Sequence, residues 1–105
     1  MFPNLRLILR RHEKIGEEVE KGLGSAGKLK IVRLLMTNPN DAFTRYAIGK
    51  SVPLDPVSIR NDLKTLVEIR WVIEMKVQHL SKYSLNLDKY TVRRLFECFR
   101  DVGYL

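Results

Sequence analysis

A chain of 105 residues with 19 Lys and Arg against 12 Asp and Glu carries a formal charge of +7 and an isoelectric point near 9.8. That length suits a single domain, residues 1–105, with a modest core that oligomerisation would help. The charge favours an acidic partner, nucleic acid first and an anionic membrane surface second. The lone Cys98 excludes an intrachain disulfide or a thiolate zinc cluster and fits a reducing cytoplasm. No apolar run reaches the roughly eighteen residues of a membrane-spanning helix.

The first predicted helix runs from Asn4 to about Lys21, residues 4–22 with its stop. Leu5, Ile8, His12, Ile15 and Val19 follow 3-4-3-4 spacing, a seam that packs against another helix. That helix belongs either to the chain's own domain or to a dimer interface. His12 on the seam reads as a partly exposed structural histidine, with a pH-sensitive interface residue as the alternative. Lys14–Glu18 and Glu17–Lys21 are i,i+4 opposite-charge pairs that support the helix. The segment MFPNLRLILRRHEK has its basic residues after its apolar part and no small-residue cleavage site, unlike a signal peptide.

Gly22-Leu23-Gly24-Ser25 is predicted to stop that helix and cap the next. GLGSAGK has phosphate-loop spacing, but Leu29 stands where a magnesium-ligating Ser or Thr is needed, and no strand precedes it. The second helix, about Ala26 to Asn38, turns Leu29, Val32, Leu35 and Met36 inward, widened by Ile31 and Leu34. Asn38-Pro39-Asn40-Asp41 makes a turn, and Phe43 returns to the core as an extended anchor. Thr44 then starts a short helix to about Lys50 that buries Ile48 and offers Arg45 and Lys50 to solvent.

Asp55 and Pro56 are an N-cap and first-turn pair, opening a helix over about residues 56–69. Ile59, Leu63 and Leu66 fall on one face, while Val57, Ser58, Arg60, Asn61 and Lys64 fall on the other. A short, basic, amide-bearing face of this kind suits a DNA major groove. Trp71, Ile73, Met75 and Val77 alternate with Val72, Glu74 and Lys76, and Tyr83, Leu85 and Leu87 with Lys82, Ser84 and Asn86. This is the period of two half-buried strands, about residues 71–87, with Trp71 in the core and Gln78-His79-Leu80-Ser81 at the hairpin tip. Lys76, His79 and Lys82 make the hairpin basic, suited to phosphates, although a solvated tip needs no partner.

Asp88 is the predicted cap of a last helix over about Lys89 to Tyr104, within residues 88–105. Val92, Leu95, Phe96, Phe99 and Val102 form an apolar stripe that requires a partner surface, either a second subunit or the chain's own core. Cys98 lies beside the stripe and reads as a buried, inert thiol.

FTRYAIGKSV, DPVSIRNDLKTLVEIRWV and KYSLNL, within residues 26–87, together resemble an archaeal winged helix-turn-helix transcriptional regulator, broadly ArsR-like or MarR-like. The resemblance implies a mainly α fold with a small β-hairpin wing (α+β), the winged module flanked by N- and C-terminal helices. It implies that Val57, Ser58, Arg60, Asn61 and Lys64 read base edges, while Arg45, Lys50, Lys76, His79 and Lys82 meet phosphates. It further implies a homodimer built on the terminal helices, through Leu5, Ile8, His12, Ile15, Val92, Leu95, Phe96, Phe99 and Val102. Two positions depart from the family pattern. Arg70 stands where glycine is usual, and a non-glycine in left-handed geometry costs about 1 kcal/mol. Pro53 stands in the helix-turn-helix turn, where glycine is also common.

The surplus charge lies on this module: residues 28–82 hold ten Lys and Arg against five Asp and Glu, whereas the first 25 residues hold five against four. The leading expectation is therefore a cytoplasmic, homodimeric, sequence-specific regulator of double-stranded DNA, without cofactor, metal or membrane. A non-specific architectural DNA-binding protein and a winged-helix protein-interaction module are the alternatives. An enzyme is disfavoured, because no nucleophile–base or metal-ligand spacing occurs.

Overall fold

The computed structural model describes residues 17–105. Leu5, Ile8, His12 and Ile15 of the predicted N-terminal seam, and Lys14 of its charge pair, lie outside the described residues. The described part begins in a helix, α1 (17–23), followed by α2 (Ala26–Thr37), α3 (Arg45–Ser51) and α4 (Pro56–Glu68). An antiparallel hairpin, β1 (Val72–Val77) and β2 (Leu80–Leu85), precedes α5 (Tyr90–Asp101). This is the expected α+β winged-helix architecture. Among the described residues no helix is long and apolar enough to cross a membrane.

The helix starts follow the predicted caps. Ser25 Oγ accepts from Lys28 N at 3.2 Å, Thr44 Oγ1 from Ala47 N at 3.1 Å, and Asp55 Oδ1 from Ser58 N at 2.8 Å. Pro53 finds its use in the α3–α4 turn: Leu54 N donates to Val52 O at 2.9 Å, closing an inverse γ-turn around a residue whose ring already fixes φ. Four residues, Val52–Asp55, therefore suffice to redirect the chain into α4.

α4 ends in a Schellman motif. Arg70 N donates to Val67 O and Trp71 N to Leu66 O, both at 3.0 Å, with Arg70 at φ 64°. The left-handed residue expected at this position is thus present as arginine. Asn86 Nδ2 clamps its carbonyl at 2.7 Å. α5 ends the same way: Gly103 N bonds Arg100 O, and Tyr104 N bonds Phe99 O, with Gly103 at φ 80°. Tyr104 then packs edge-on against Phe99 at 5.3 Å and lies under the Arg33 guanidinium at 4.6 Å, returning the C-terminus to α2.

Ile31, Val32, Leu35 and Met36 of α2, Ile48 of α3, and Ile59, Leu63 and Leu66 of α4 form the core with Trp71, Val72, Tyr83, Leu85 and Val92. Phe43 bridges Tyr83 through N–H···O bonds of 2.8 and 2.7 Å, adding a third extended segment beside β2.

Several local expectations are corrected. α1 ends at residue 23, within the predicted Gly22–Ser25 stretch, but Gly22 itself sits inside the helix, where a Cβ would come within 2.2 Å of the Trp71 ring. The close approach of the indole, rather than a helix stop, accounts for the glycine. Leu29 is only half-buried, because Ile31 supplies the inward position on α2. Asp88 does not cap α5. Lys89 occupies the cap position without a side-chain bond, and Arg93 instead ties the Leu87 and Asp88 carbonyls at 3.2 and 3.3 Å. Cys98 is exposed rather than buried, since α5 turns its opposite side to the core.

The face of β1 is also reversed. Ile73, Met75 and Val77 were expected inside, yet they are 42%, 51% and 51% exposed. Val72 alone of β1 is buried; exposed Glu74 shares its side of the sheet, opposite Tyr83, whose hydroxyl donates to Glu74 Oε2 at 3.0 Å.

Candidate nucleic-acid interface

α4 shows Val57, Arg60, Asn61 and Lys64 on its exposed side, directly opposite buried Ile59, Leu63 and Leu66. The spacing that selects the core face therefore also selects the outward one. Asp55 ties down the start of this helix. Its carboxylate accepts from the Ser58 backbone N–H at 2.8 Å and from the Ser58 hydroxyl at 2.8 Å, and these bonds hold its pKa below the ordinary carboxylate value. Ser58 therefore gives its hydroxyl proton to the cap and keeps its oxygen as an acceptor only. That leaves Val57, Arg60, Asn61 and Lys64 as the wholly free groups of the expected reading set.

A groove of about 490 Å³ runs between α3 and the start of α4. It is lined by the basic Arg45, Lys50 and Arg60 together with Gly49, Leu54, Val57 and buried Ile59. Arg45 and Lys50 thus stand beside the start of α4, across the groove from Arg60. Tyr46 belongs to the same groove and is missing from the predicted set. Its ring is 73% exposed, and Lys50 Nζ lies over it at 4.6 Å. The signal for it in the sequence is the i,i+4 placement of Tyr46 and Lys50 on the polar side of a short helix.

A smaller cleft separates α4 from the wing, lined by Arg60, Leu63, Lys64, Val67, Glu68, Glu74 and Tyr83. Glu74 is ionised more readily than an ordinary glutamate, because the Ser81 and Tyr83 hydroxyls favour its charged form. Asp62, on the flank of α4, faces α2 instead. A Cβ on Gly27 would lie 2.6 Å from its Oδ2, and burial raises its pKa against the opposing pull of Lys28.

The wing residues do not form one patch. Lys76 pairs with Ser81 and Lys82 with Met75, so the pleat sends the two lysines to opposite surfaces of the hairpin. His79 sits in the two-residue turn after Gln78, whose φ of 60° meets the demand of a tight hairpin for positive φ.

The expected dimer residues on α5 divide. Val92 is fully buried in the chain's own core and has no surface left for a partner, which corrects its assignment. Leu95, Phe96 and Phe99 are half-buried against that core, and Val102 is 72% exposed, as Tyr90 is at 67%. α1 is joined to Trp71 and to the start of α5 by Glu18, which sequence reasoning placed only in a helical charge pair. Its Oε1 accepts from Trp71 Nε1 at 2.9 Å and pairs with Lys89 Nζ at 3.0 Å, while Oε2 accepts from Thr91 Oγ1 at 3.3 Å.

No protein-family model matches the chain, and no curated sequence is significantly similar to it. Solved structures do share its fold. NolR from Sinorhizobium fredii superposes with a TM-score of 0.73 at 14% identity, over 97% of this chain and 93% of that one. The transcriptional repressor BigR from Xylella fastidiosa gives 0.71 at 14%, over 92% and 94%. The homodimeric winged helix-turn-helix DNA-binding domain of Mb0332 from Mycobacterium bovis, a possible ArsR-family regulator, gives 0.66 at 17%, over 98% and 87%.

Proposed function

We propose that the chain is a DNA-binding transcriptional regulator that acts as a homodimer, with α4 in the major groove and the wing on the flanking backbone. The observation that carries this reading is the free basic and amide-bearing side of α4, flanked by Arg45 and Lys50 across the α3–α4 groove. Arg60 offers a bidentate fork to guanine and Asn61 a donor–acceptor pair to adenine. Lys64, Arg45 and Lys50 supply phosphate contacts, and Tyr46 adds an aromatic plane beside them. The exposed and half-buried apolar side of α5, from Tyr90 to Val102, provides the two-fold contact together with the N-terminal helix. The likeness to repressors and to a homodimeric DNA-binding domain supports the same reading. Enzymatic activity has no place in it.

Fluorescence anisotropy on DNA from upstream of the protein's own gene, against scrambled DNA over a salt series, tests the proposal. A specific regulator prefers its site by about a thousandfold or more. Alanine at Arg60 or Asn61 then costs about 1–3 kcal/mol on the specific site alone. Alanine at Lys50 weakens binding to every sequence and reduces the salt slope by about 1. Equal, steeply salt-dependent binding to both DNAs would replace this reading with an architectural one. No binding at low salt would end both, and would leave a protein-interaction module.

A further inference from the structure

Among the described residues nothing covers the outer edge of the wing. β2 is paired with β1 on one side and with Phe43 on the other, whereas β1 pairs only with β2. In an antiparallel ladder alternate residues turn their N–H and C=O toward the neighbouring strand. Asn86 N donates to Trp71 O at 2.9 Å, and Tyr83 directs its own main-chain groups away to Phe43. In this register Ile73, Met75 and Val77 therefore bond to β2, and Val72, Glu74 and Lys76 present their main-chain groups outward. Side chains alternate as well. Ile73, Met75 and Val77 share one exposed surface with Leu80, and exposed Glu74 and Lys76 share the other.

We propose that this edge is a self-association surface, on which a second copy of the chain adds its own β1 antiparallel, with Met75 opposite Met75. The segment Ile73-Glu74-Met75-Lys76-Val77 is complementary to itself when reversed about its centre. Reversal sets Glu74 across from Lys76 of the second copy and Lys76 across from its Glu74, with Ile73 facing Val77. Residues 74 and 76 are the ones whose main-chain groups point outward, so each of these pairs exchanges both N–H···O bonds. The charged pairs lie on one surface of the joined sheet, and the apolar contacts lie on the other. Sliding the copies by one pleat sets Glu74 against Glu74, or Lys76 against Lys76, which like-charge repulsion disfavours. Charge thus selects the one register that also matches the apolar side chains. The contact is two-fold and self-complementary, and separate from the helical interface of α5. It goes beyond the DNA-binding reading and needs no DNA.

Single cysteines at Met75 or Ile73, in the full chain carrying Cys98→Ser and without DNA, test the register under oxidised glutathione. Both sites are exposed, so folding is spared. Across the two-fold axis the residue-75 Cα atoms approach to about 4.5 Å, within disulfide reach. A cysteine at residue 73 meets its copy only about 13 Å away along the strand. The Met75→Cys chain is expected to cross-link about tenfold or more faster than Ile73→Cys. Adding either Glu74→Lys or Lys76→Glu to Met75→Cys slows the reaction, and mixing those two variants restores it between unlike chains. Equal rates at the two positions, or cross-linking that ignores the charge changes, would overturn the proposal. Glu74 and Lys76 would then be guards that keep the edge unpaired.

Discussion

Glu18→Ala should loosen the joint between α1, Trp71 and the start of α5, and its cost follows from three contacts. Trp71 is 1% exposed, so its Nε1–H, now 2.9 Å from Glu18 Oε1, would lose its acceptor at about 1–3 kcal/mol. Lys89 keeps 32% of its side chain exposed in the pair, which limits that contribution to about 0.2–1 kcal/mol. The Thr91 hydroxyl, at 3.3 Å, turns to water at little cost. The expected loss is about 2 kcal/mol, or a melting point lower by about 10 °C. Trp71 is the sole tryptophan, so urea unfolding followed by its fluorescence reads the change where it occurs. Glu18→Gln keeps an acceptor for the indole and should lose less than about 1 kcal/mol. The acid branch gives a second reading. Partial burial pushes the Glu18 carboxyl up, but the Trp71 and Lys89 hydrogen bonds and the Lys89 charge outweigh it, so its pKa lies below 4.5. Its stabilisation is complete above that ordinary value and is lost as pH falls through the lower folded one; Glu18→Gln should flatten this loss. An alanine variant within about 0.5 kcal/mol of wild type would refute the indole argument. A glutamine variant as unstable as alanine would assign the effect to the Lys89 pair instead.

Arg70→Gly should stabilise the protein by about 0.5 kcal/mol, because release from φ 64° is partly offset by the greater freedom of an unfolded glycine. A lower midpoint in thermal unfolding would mean that the arginine side chain contributes more than its backbone costs. Gly22→Ala should lose about 1–3 kcal/mol, since its Cβ would fall 2.2 Å from Trp71 Cζ3 and the indole must move. An unchanged urea midpoint with unchanged Trp71 emission would refute that packing.

What was legible in the sequence is what local chemistry decides. Ser25, Thr44 and Asp55 cap three helices because each places an oxygen over free amides two or three residues on. Pattern at period 3.6 picked out Ile59, Leu63 and Leu66, and with them the exposed Arg60, Asn61 and Lys64. Features that depend on a distant partner were not legible. Glu18 looks like half of a helical charge pair until Trp71 and Lys89 come beside it, across 53 and 71 positions of sequence. Gly22 looks like a stop until an indole occupies its missing Cβ. Ser58 looks like a free hydroxyl until Asp55 is seen to take its proton, leaving the oxygen as an acceptor. Val92 and Val102 read as one stripe, yet the first is enclosed by its own subunit and the second is not.

The wing shows how a correct period can still choose the wrong face. Alternation divides β1 into two sets, and hydrophobicity alone favours Trp71, Ile73, Met75 and Val77 as the inner one. Trp71, however, is not a strand residue; it closes the Schellman turn of α4, with its N–H on Leu66 O. The left-handed Arg70 before it resets the phase, so Trp71 and Val72 are buried in succession and the strand's inner set begins at Val72. Exposed Glu74 falls on that same side, where its carboxylate accepts from the Tyr83 hydroxyl. Among the described residues the apolar set is then left outside, beside an edge that no other strand pairs. A single inserted residue between Trp71 and Val72 would exchange the two faces. The geometry of one helix end therefore fixes both the core contact of the wing and the surface it offers to another chain.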